Sequence, residues 1–127
     1  MRLFLCDDNA AYRELVRLVL ERAGHEVVGE AGDGAEAVER APGCAPEVVL
    51  LDLNMPKVGG IEALPQLRGA LGPDAKILVL TTGQAPQERR SALDAGADGF
   101  IVKPDRVFSL DDELRAALSD PGPAGAG

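Results

Sequence analysis

The sequence contains no apolar run long enough to cross a membrane. Its first hydrophobic stretch, "LFLC" at 3–6, is cut off at once by Asp7 and Asp8, so neither an anchor nor a signal peptide is expected, and a cytoplasmic location is. Positive charge is also scarce. Thirteen Lys and Arg against 21 Asp and Glu give a net charge of -8, which opposes general attraction to nucleic acid or anionic lipid, so no direct nucleic-acid or membrane binding is expected. Two cysteines, Cys6 and Cys44, lack any short metal-ligand spacing and read as reduced thiols. A single histidine, His25, has no serine or cysteine motif to accompany it, which sets aside a His-based triad. At 127 residues there is no room for a second domain, but enough chain to bury a core.

What is present is an alternation. Runs rich in Val and Leu recur at 2–6, 26–30, 47–52, 76–81 and 98–103, each followed by a helical pattern. In the first helix Tyr12, Leu15, Val16, Val19, Leu20 and Ala23 are expected on one face, with Gly24 as the stop. Asp33, with Glu36 three positions on, is placed to cap "GAEAVERA", which "PGC" should end. Pro65 should cost the third helix a hydrogen bond or a kink. Pro86 suits the first turn of the fourth, and Ser109 is the expected cap of the last. Strands alternating with helices in this way imply an α/β domain with a parallel sheet, right-handed crossovers and a site at the carboxyl ends of the strands.

The polar residues collect at those ends: Asp7 and Asp8 after the first strand, Asp52 closing "EVVLLD", Thr81 and Thr82 after the fourth, and Lys103 after the fifth. A carboxylate ending a strand that reads as buried on both faces needs compensation. Three carboxylates at neighbouring strand ends would repel one another without a cation, and an all-oxygen site suits magnesium, with Lys103 as a second positive charge. Singly these residues are unremarkable, since acidic pairs often cap helices and Lys-Pro is a common turn. Their placement together at separate strand ends is what points to a site.

The succession "DD", "DLNMPKVGG", "LTTG" and "GFIVKP" resembles the receiver domain of two-component response regulators, from residue 2 to about 118. The resemblance implies a flavodoxin-like, doubly wound five-stranded parallel sheet in the order 2-1-3-4-5 with five helices, occupying residues 1–119 before a disordered tail at 120–127. It implies phosphoryl transfer to Asp52 from a sensor histidine kinase or a histidine phosphotransfer protein. Asp8 and Asp52 would be direct magnesium ligands, Asp7 would orient a water of the metal's shell, and Asn54 would offer its backbone carbonyl. Thr81 would donate its hydroxyl to the phosphoryl group, and Lys103 would pair with another of its oxygens. Phe100 stands where the family has an aromatic side chain that turns inward on activation, and the peptide bond before Pro104 is one the family usually makes cis.

The chemistry suits the residue types, because charge gathers on the phosphoryl oxygens in transfer and a cation, an ammonium and a hydroxyl stabilise it there. Asn54 and Gly83 border the space from which water would attack, and an intermediate lifetime of the phosphorylated form is expected. Leu18 lies off the apolar stripe of the first helix, on the flank expected to meet a kinase. Output is expected through a downstream protein or an effector domain elsewhere in a longer regulator, with homodimerisation on activation among the outcomes. A phosphatase of the haloacid dehalogenase type would want an acidic residue where Asn54 stands. A flavin carrier would want a phosphate cradle in place of Asp7 and Asp8. A receiver acting as an interaction module without phosphorylation is the remaining alternative.

Overall fold

The computed structural model describes residues 1–53, 60–81, 86–103 and 106–119. Five parallel strands form one sheet: β1 (Arg2–Cys6), β2 (Glu26–Ala31), β3 (Val48–Asp52), β4 (Lys76–Thr81) and β5 (Gly99–Val102), in the spatial order β2-β1-β3-β4-β5. Between and after them run α1 (Ala10–Arg22), α2 (Gly34–Cys44), α3 (Gly60–Leu71), α4 (Pro86–Asp94) and α5 (Leu110–Ser119). This is the flavodoxin-like doubly wound arrangement, in the strand order that the family resemblance implies. Among the described residues no helix is long and apolar enough to cross a membrane.

The two-residue period of a strand divides the core. Leu3, Leu5, Val48, Leu50, Leu78, Leu80 and Ile101 face one way and pack with Val16 and Leu20 of α1 and Leu110 and Leu114 of α5. Their neighbours Phe4, Cys6, Val49, Leu51, Ile77 and Val79 face the other way, against Ala37 and Ala41 of α2, Ala63, Leu64 and Leu67 of α3, and Ala92 of α4. All of β3 is buried, as its unbroken apolar run requires of a strand covered on both faces. Cys6 and Cys44 are not joined in a disulfide, and the Cys6 thiol donates to the Asp33 carbonyl at 3.3 Å.

Several local expectations are corrected. Leu15 is 43% exposed and does not join the buried face of α1, which holds Val16, Val19 and Leu20; Leu18, at 53%, is exposed as expected. The helix contacts the sheet and α5 along a seam too narrow to cover Leu15. Asp33 does cap α2, accepting from the Glu36 amide at 2.8 Å, while the Glu36 side chain accepts from Gly32 N–H at 3.0 Å. That helix nevertheless continues through Pro42 to Cys44 and closes on Ala45 in the left-handed region, φ +49°. A proline there removes one amide, a loss offset by the buried Ala37 and Ala41 that seat the helix. Helix α3 contains Pro65, as its sequence pattern expects. Ser109 does not cap α5: it ends a 3-10 turn, Val107–Ser109, and its hydroxyl donates to the Arg106 carbonyl at 3.0 Å.

Two polar clamps hold the ends of the sheet. Arg68 of α3 donates to the carbonyls of Gly72 (3.1 Å), Ala75 (2.6 Å) and Gly96 (3.0 Å) and pairs with the Asp98 carboxylate, which also accepts from Ile77 N–H at 2.7 Å. Gly72 and Gly96 have φ of +80° and +117°, which turns their carbonyls in a way an L side chain would strain. On the opposite face buried His25 links α5 to the amino terminus. Its Nε2 lies 2.6 Å from Asp111 Oδ1 and its Nδ1 3.2 Å from the Met1 amino group. Burial pushes the Asp111 carboxyl up, but hydrogen bonds from His25 and Arg115 outweigh it and hold the group below its ordinary value.

Replacing Arg68 with Ala strands three carbonyls and half of an ion pair, and should cost about 2–3 kcal/mol in urea unfolding; a loss under roughly 0.5 kcal/mol, the scale of an ordinary surface substitution, would contradict the clamp. A depressed carboxyl contributes stability above its unfolded pKa of about 3.9 and loses that contribution as pH falls through its lower folded value. The stability difference between the parent and Asp111→Ala should therefore shrink as the pH drops below about 4. A difference that stays constant into strong acid would rule the linkage out.

Candidate functional site

Strand order alone brings the acidic residues together. Strands β1 and β3 are neighbours, with Cys6 opposite Leu51, so the next residues, Asp7 and Asp52, emerge side by side. They also share the side-chain parity of Leu5 and Leu50, toward the α1 and α5 face. Asp7 is 4% and Asp52 2% exposed, whereas Asp8 is exposed. One carboxylate oxygen from each of Asp7, Asp8 and Asp52 falls within 4.8 Å of the others, a group that could hold a metal ion. An oxygen-only set fits a hard divalent cation.

Lys103 follows β5, two strands from β3, and its parity is that of Ile101. Adjacent strands lie about 4.8 Å apart, so only a long side chain reaches back across β4. Its ammonium stands 3.2 Å from Asp52 Oδ2 and 3.4 Å from Asp7 Oδ2. Burial alone would favour the neutral amine, but the charges of Asp52 and Asp7 outweigh it and raise the Lys103 pKa. Like charges about 4 Å apart repel by roughly 4 kcal/mol at an effective dielectric near 20. One ammonium against three carboxylates leaves a net of two negative charges, the charge a divalent ion would cancel.

Helix α1 frames the acidic pair. Asn9, and neither aspartate, is its cap: Asn9 Oδ1 accepts from Tyr12 N–H at 3.0 Å, while Asn9 N–H donates to Asp7 Oδ1 at 2.9 Å. One oxygen of Asp7 is thereby fixed by backbone and the other faces Lys103. Arg13 donates to the Asp7 carbonyl and, at 3.5 Å, to the Ala31 carbonyl, and its charge is met by Glu30 at 2.9 Å. The Tyr12 ring lies over the Lys103 ammonium, 4.7 Å from Nζ to centroid. Among the described residues the Tyr12 hydroxyl is a buried side-chain polar atom with no hydrogen-bond partner, an arrangement that costs about 1–3 kcal/mol.

Of the residues singled out in the sequence, Asp7, Asp8, Asp52 and Lys103 converge. Thr81 ends β4 opposite Val102, with its backbone one step beyond Leu80, the register partner of Asp52. Phe100 has the opposite parity to Lys103 and Ile101 and packs, half-buried, on the α2, α3 and α4 side of the core. The side chain of Thr81, together with Asn54, Thr82, Gly83 and Pro104, lies outside the described residues, as does the tail at 120–127. Sequence reasoning missed Arg13, which nothing in its spacing marks, and it assigned Tyr12 to the apolar stripe alone. The signal for Tyr12 was its place in the helical turn after the acidic pair, where a phenol is a poor choice for plain core.

The family model for the response regulator receiver domain matches residues 3–117. Response regulator MprA of Mycobacterium leprae is 41% identical over 118 residues, covering 93% of this chain and 51% of its own length. Chemotaxis protein CheY of Thermotoga maritima is 38% identical over 103 residues, 81% of this chain and 85% of that protein. The crystal structure of a LuxR-family two-component response regulator from Aurantimonas superposes with a TM-score of 0.83 at 36% identity, over 93% of this chain and 84% of that one. The chain thus spans about half the length of relatives such as MprA, and most of CheY. Fold, strand-end acidic cluster and sequence agree, and the chain belongs to the receiver domain family of two-component response regulators.

Proposed function

We propose that this receiver, residues 1–119, accepts a phosphoryl group on Asp52 from a phosphohistidine of a sensor kinase or histidine phosphotransfer protein. The observation that carries the reading is a carboxylate 2% exposed at the end of β3, 3.2 Å from an ammonium and clustered with two further carboxylates. An oxygen of Asp52 attacks phosphorus, the phosphorus–nitrogen bond breaks, and its electron pair stays on the imidazole. Lys103 follows the charge: as Asp52 becomes an ester-like oxygen, the ammonium exchanges a carboxylate partner for a phosphoryl oxygen with little movement. Thr81 donates its hydroxyl to another oxygen. Asp8 and Asp52, with the Asn54 carbonyl, would hold magnesium, while Asp7, anchored by Asn9 N–H, would orient water in its shell. Bound there, magnesium supplies positive charge against the phosphoryl oxygens.

The switch uses the two faces of the sheet. Movement of Thr81 toward the phosphoryl group opens space for Phe100, shifting the population between two packings of one fold. The altered surface around α4 and α5 then signals to a downstream protein, an effector domain or a second copy. A net charge of -8 argues against nucleic-acid contact by this unit, and the reading places the protein in the cytoplasm with its kinase. Leu18, with Leu15 beside it, gives α1 an exposed apolar flank suited to the kinase.

Incubation with magnesium and a small acyl-phosphate donor should add one phosphoryl group to the intact mass of the parent. Asp52→Ala, or omission of the metal, should abolish the gain; a folded parent that gains nothing would leave the phosphorylation-independent interaction module as the reading. Leu18→Glu should slow transfer from a phosphorylated kinase about tenfold, one hot-spot contact's worth, and spare labelling by the small donor. Equal slowing with both donors would reject the docking role.

A further inference from the structure

We propose that Tyr12 is a positioning residue for Lys103, holding the ammonium against Asp7 and Asp52 and thereby setting the rate of phosphoryl acceptance. The rate part of this rests on the phosphoacceptor reading of Asp52; the placement of Lys103 does not.

Lysine is a flexible four-carbon stem whose charge must be held in place to act at once. Here it is held from two sides. Two carboxylate oxygens lie 3.2 and 3.4 Å from Nζ, and the face of the Tyr12 ring lies 4.7 Å away. The ring face is the negative side of the aromatic quadrupole, so it attracts the ammonium without competing for its hydrogen bonds to oxygen. A ring face donates neither to the carboxylates nor to the phosphoryl oxygens, so the ammonium can pass from one partner to the other along it.

The ring is itself anchored. Tyr12 sits in the first turn of α1, its amide is bound by the Asn9 cap at 3.0 Å, and its side chain packs on the cluster containing Leu5, Val16, Leu50 and Ile101. A side chain serving only that cluster could as well be Leu, and the buried phenol hydroxyl, without a partner among the described residues, adds nothing to either role. What Leu could not supply is the aromatic face over Lys103.

The test compares Tyr12→Phe, which keeps the face and removes the hydroxyl, with Tyr12→Leu, which removes the face. The chain has three lysines and one tyrosine, so the Lys103 ε-methylene resonances are assigned by their loss in Lys103→Met. Without any phosphodonor they should be displaced upfield by the ring in the parent and in Tyr12→Phe, and revert in Tyr12→Leu. With magnesium and a small acyl-phosphate donor, Tyr12→Phe should accept phosphoryl at a rate within about twofold of the parent and Tyr12→Leu about fivefold more slowly. If Tyr12→Leu is unfolded, Tyr12→Met takes its place, since methionine fills the gap without a ring.

Resonances of Lys103 that do not change between the parent and Tyr12→Leu would overturn the contact. Changed resonances with a parental rate in Tyr12→Leu would overturn the positioning role. Ring-displaced resonances in a parent that accepts no phosphoryl group would confirm the placement of Lys103 by Tyr12 and count against the phosphoacceptor reading instead.

Discussion

The Lys103 ammonium between the carboxylates of Asp7 and Asp52 is the interaction on which the site depends. Both carboxylates are almost wholly buried, and side by side they would repel by several kcal/mol in a medium of low effective dielectric. Lys103 offsets much of that repulsion, but with Asp8 in the cluster the balance stays negative. The structure is therefore poised for positive charge. In the proposed reaction that need grows: a phosphoryl group brings further negative charge to a place where Lys103 already faces a carboxylate excess.

The fold supplies this arrangement through topology more than through local sequence. A parallel sheet sends all its carboxyl ends to one edge. The order β2-β1-β3-β4-β5 makes the first and third strands neighbours, so two aspartates far apart in the chain become adjacent. Strand parity then turns Asp7, Asp52 and Lys103 to the same face, the one covered by α1 and α5. Helix α1 contributes three consecutive turns of support. Asn9 fixes Asp7, Arg13 holds the carbonyls at the ends of β1 and β2, and Val16 and Leu20 seat the helix on the sheet. At the far ends of the strands Arg68 performs the corresponding structural task for β4 and the turn into β5.

The inner strands β1, β3 and β4 were legible in the sequence because both their faces are covered, which makes them short apolar runs between charged or glycine-rich segments. The edge strand β2 is only partly buried, and its run is broken by Gly29 and Glu30. The cluster at the strand ends was legible for a related reason: the runs of β1 and β3 stop at aspartates and that of β5 at Lys103. Helix detail was harder. A helical period places Leu15 beside Val16 and Val19 but does not say how wide the buried seam is, and α1 meets its neighbours along a narrow one. Ser109 has the composition of a cap, yet a 3-10 turn ahead of α5 uses it otherwise. Pro42 signals a stop that packing of α2 on the sheet overrides. Contacts such as Lys103 to Asp7 join residues 96 positions apart, and no local pattern carries the distance, or the Tyr12 ring that lies across them.

The central claim is that the phosphoryl group is borne by Asp52 and by no other carboxylate of the cluster. The most direct test is to phosphorylate the protein with a small acyl-phosphate donor and magnesium, reduce the acyl phosphate with borohydride, and locate the resulting homoserine by peptide mass mapping. The account predicts homoserine at position 52 alone. Homoserine at position 7 or 8, or its absence from a protein shown to carry the phosphoryl group, would contradict it.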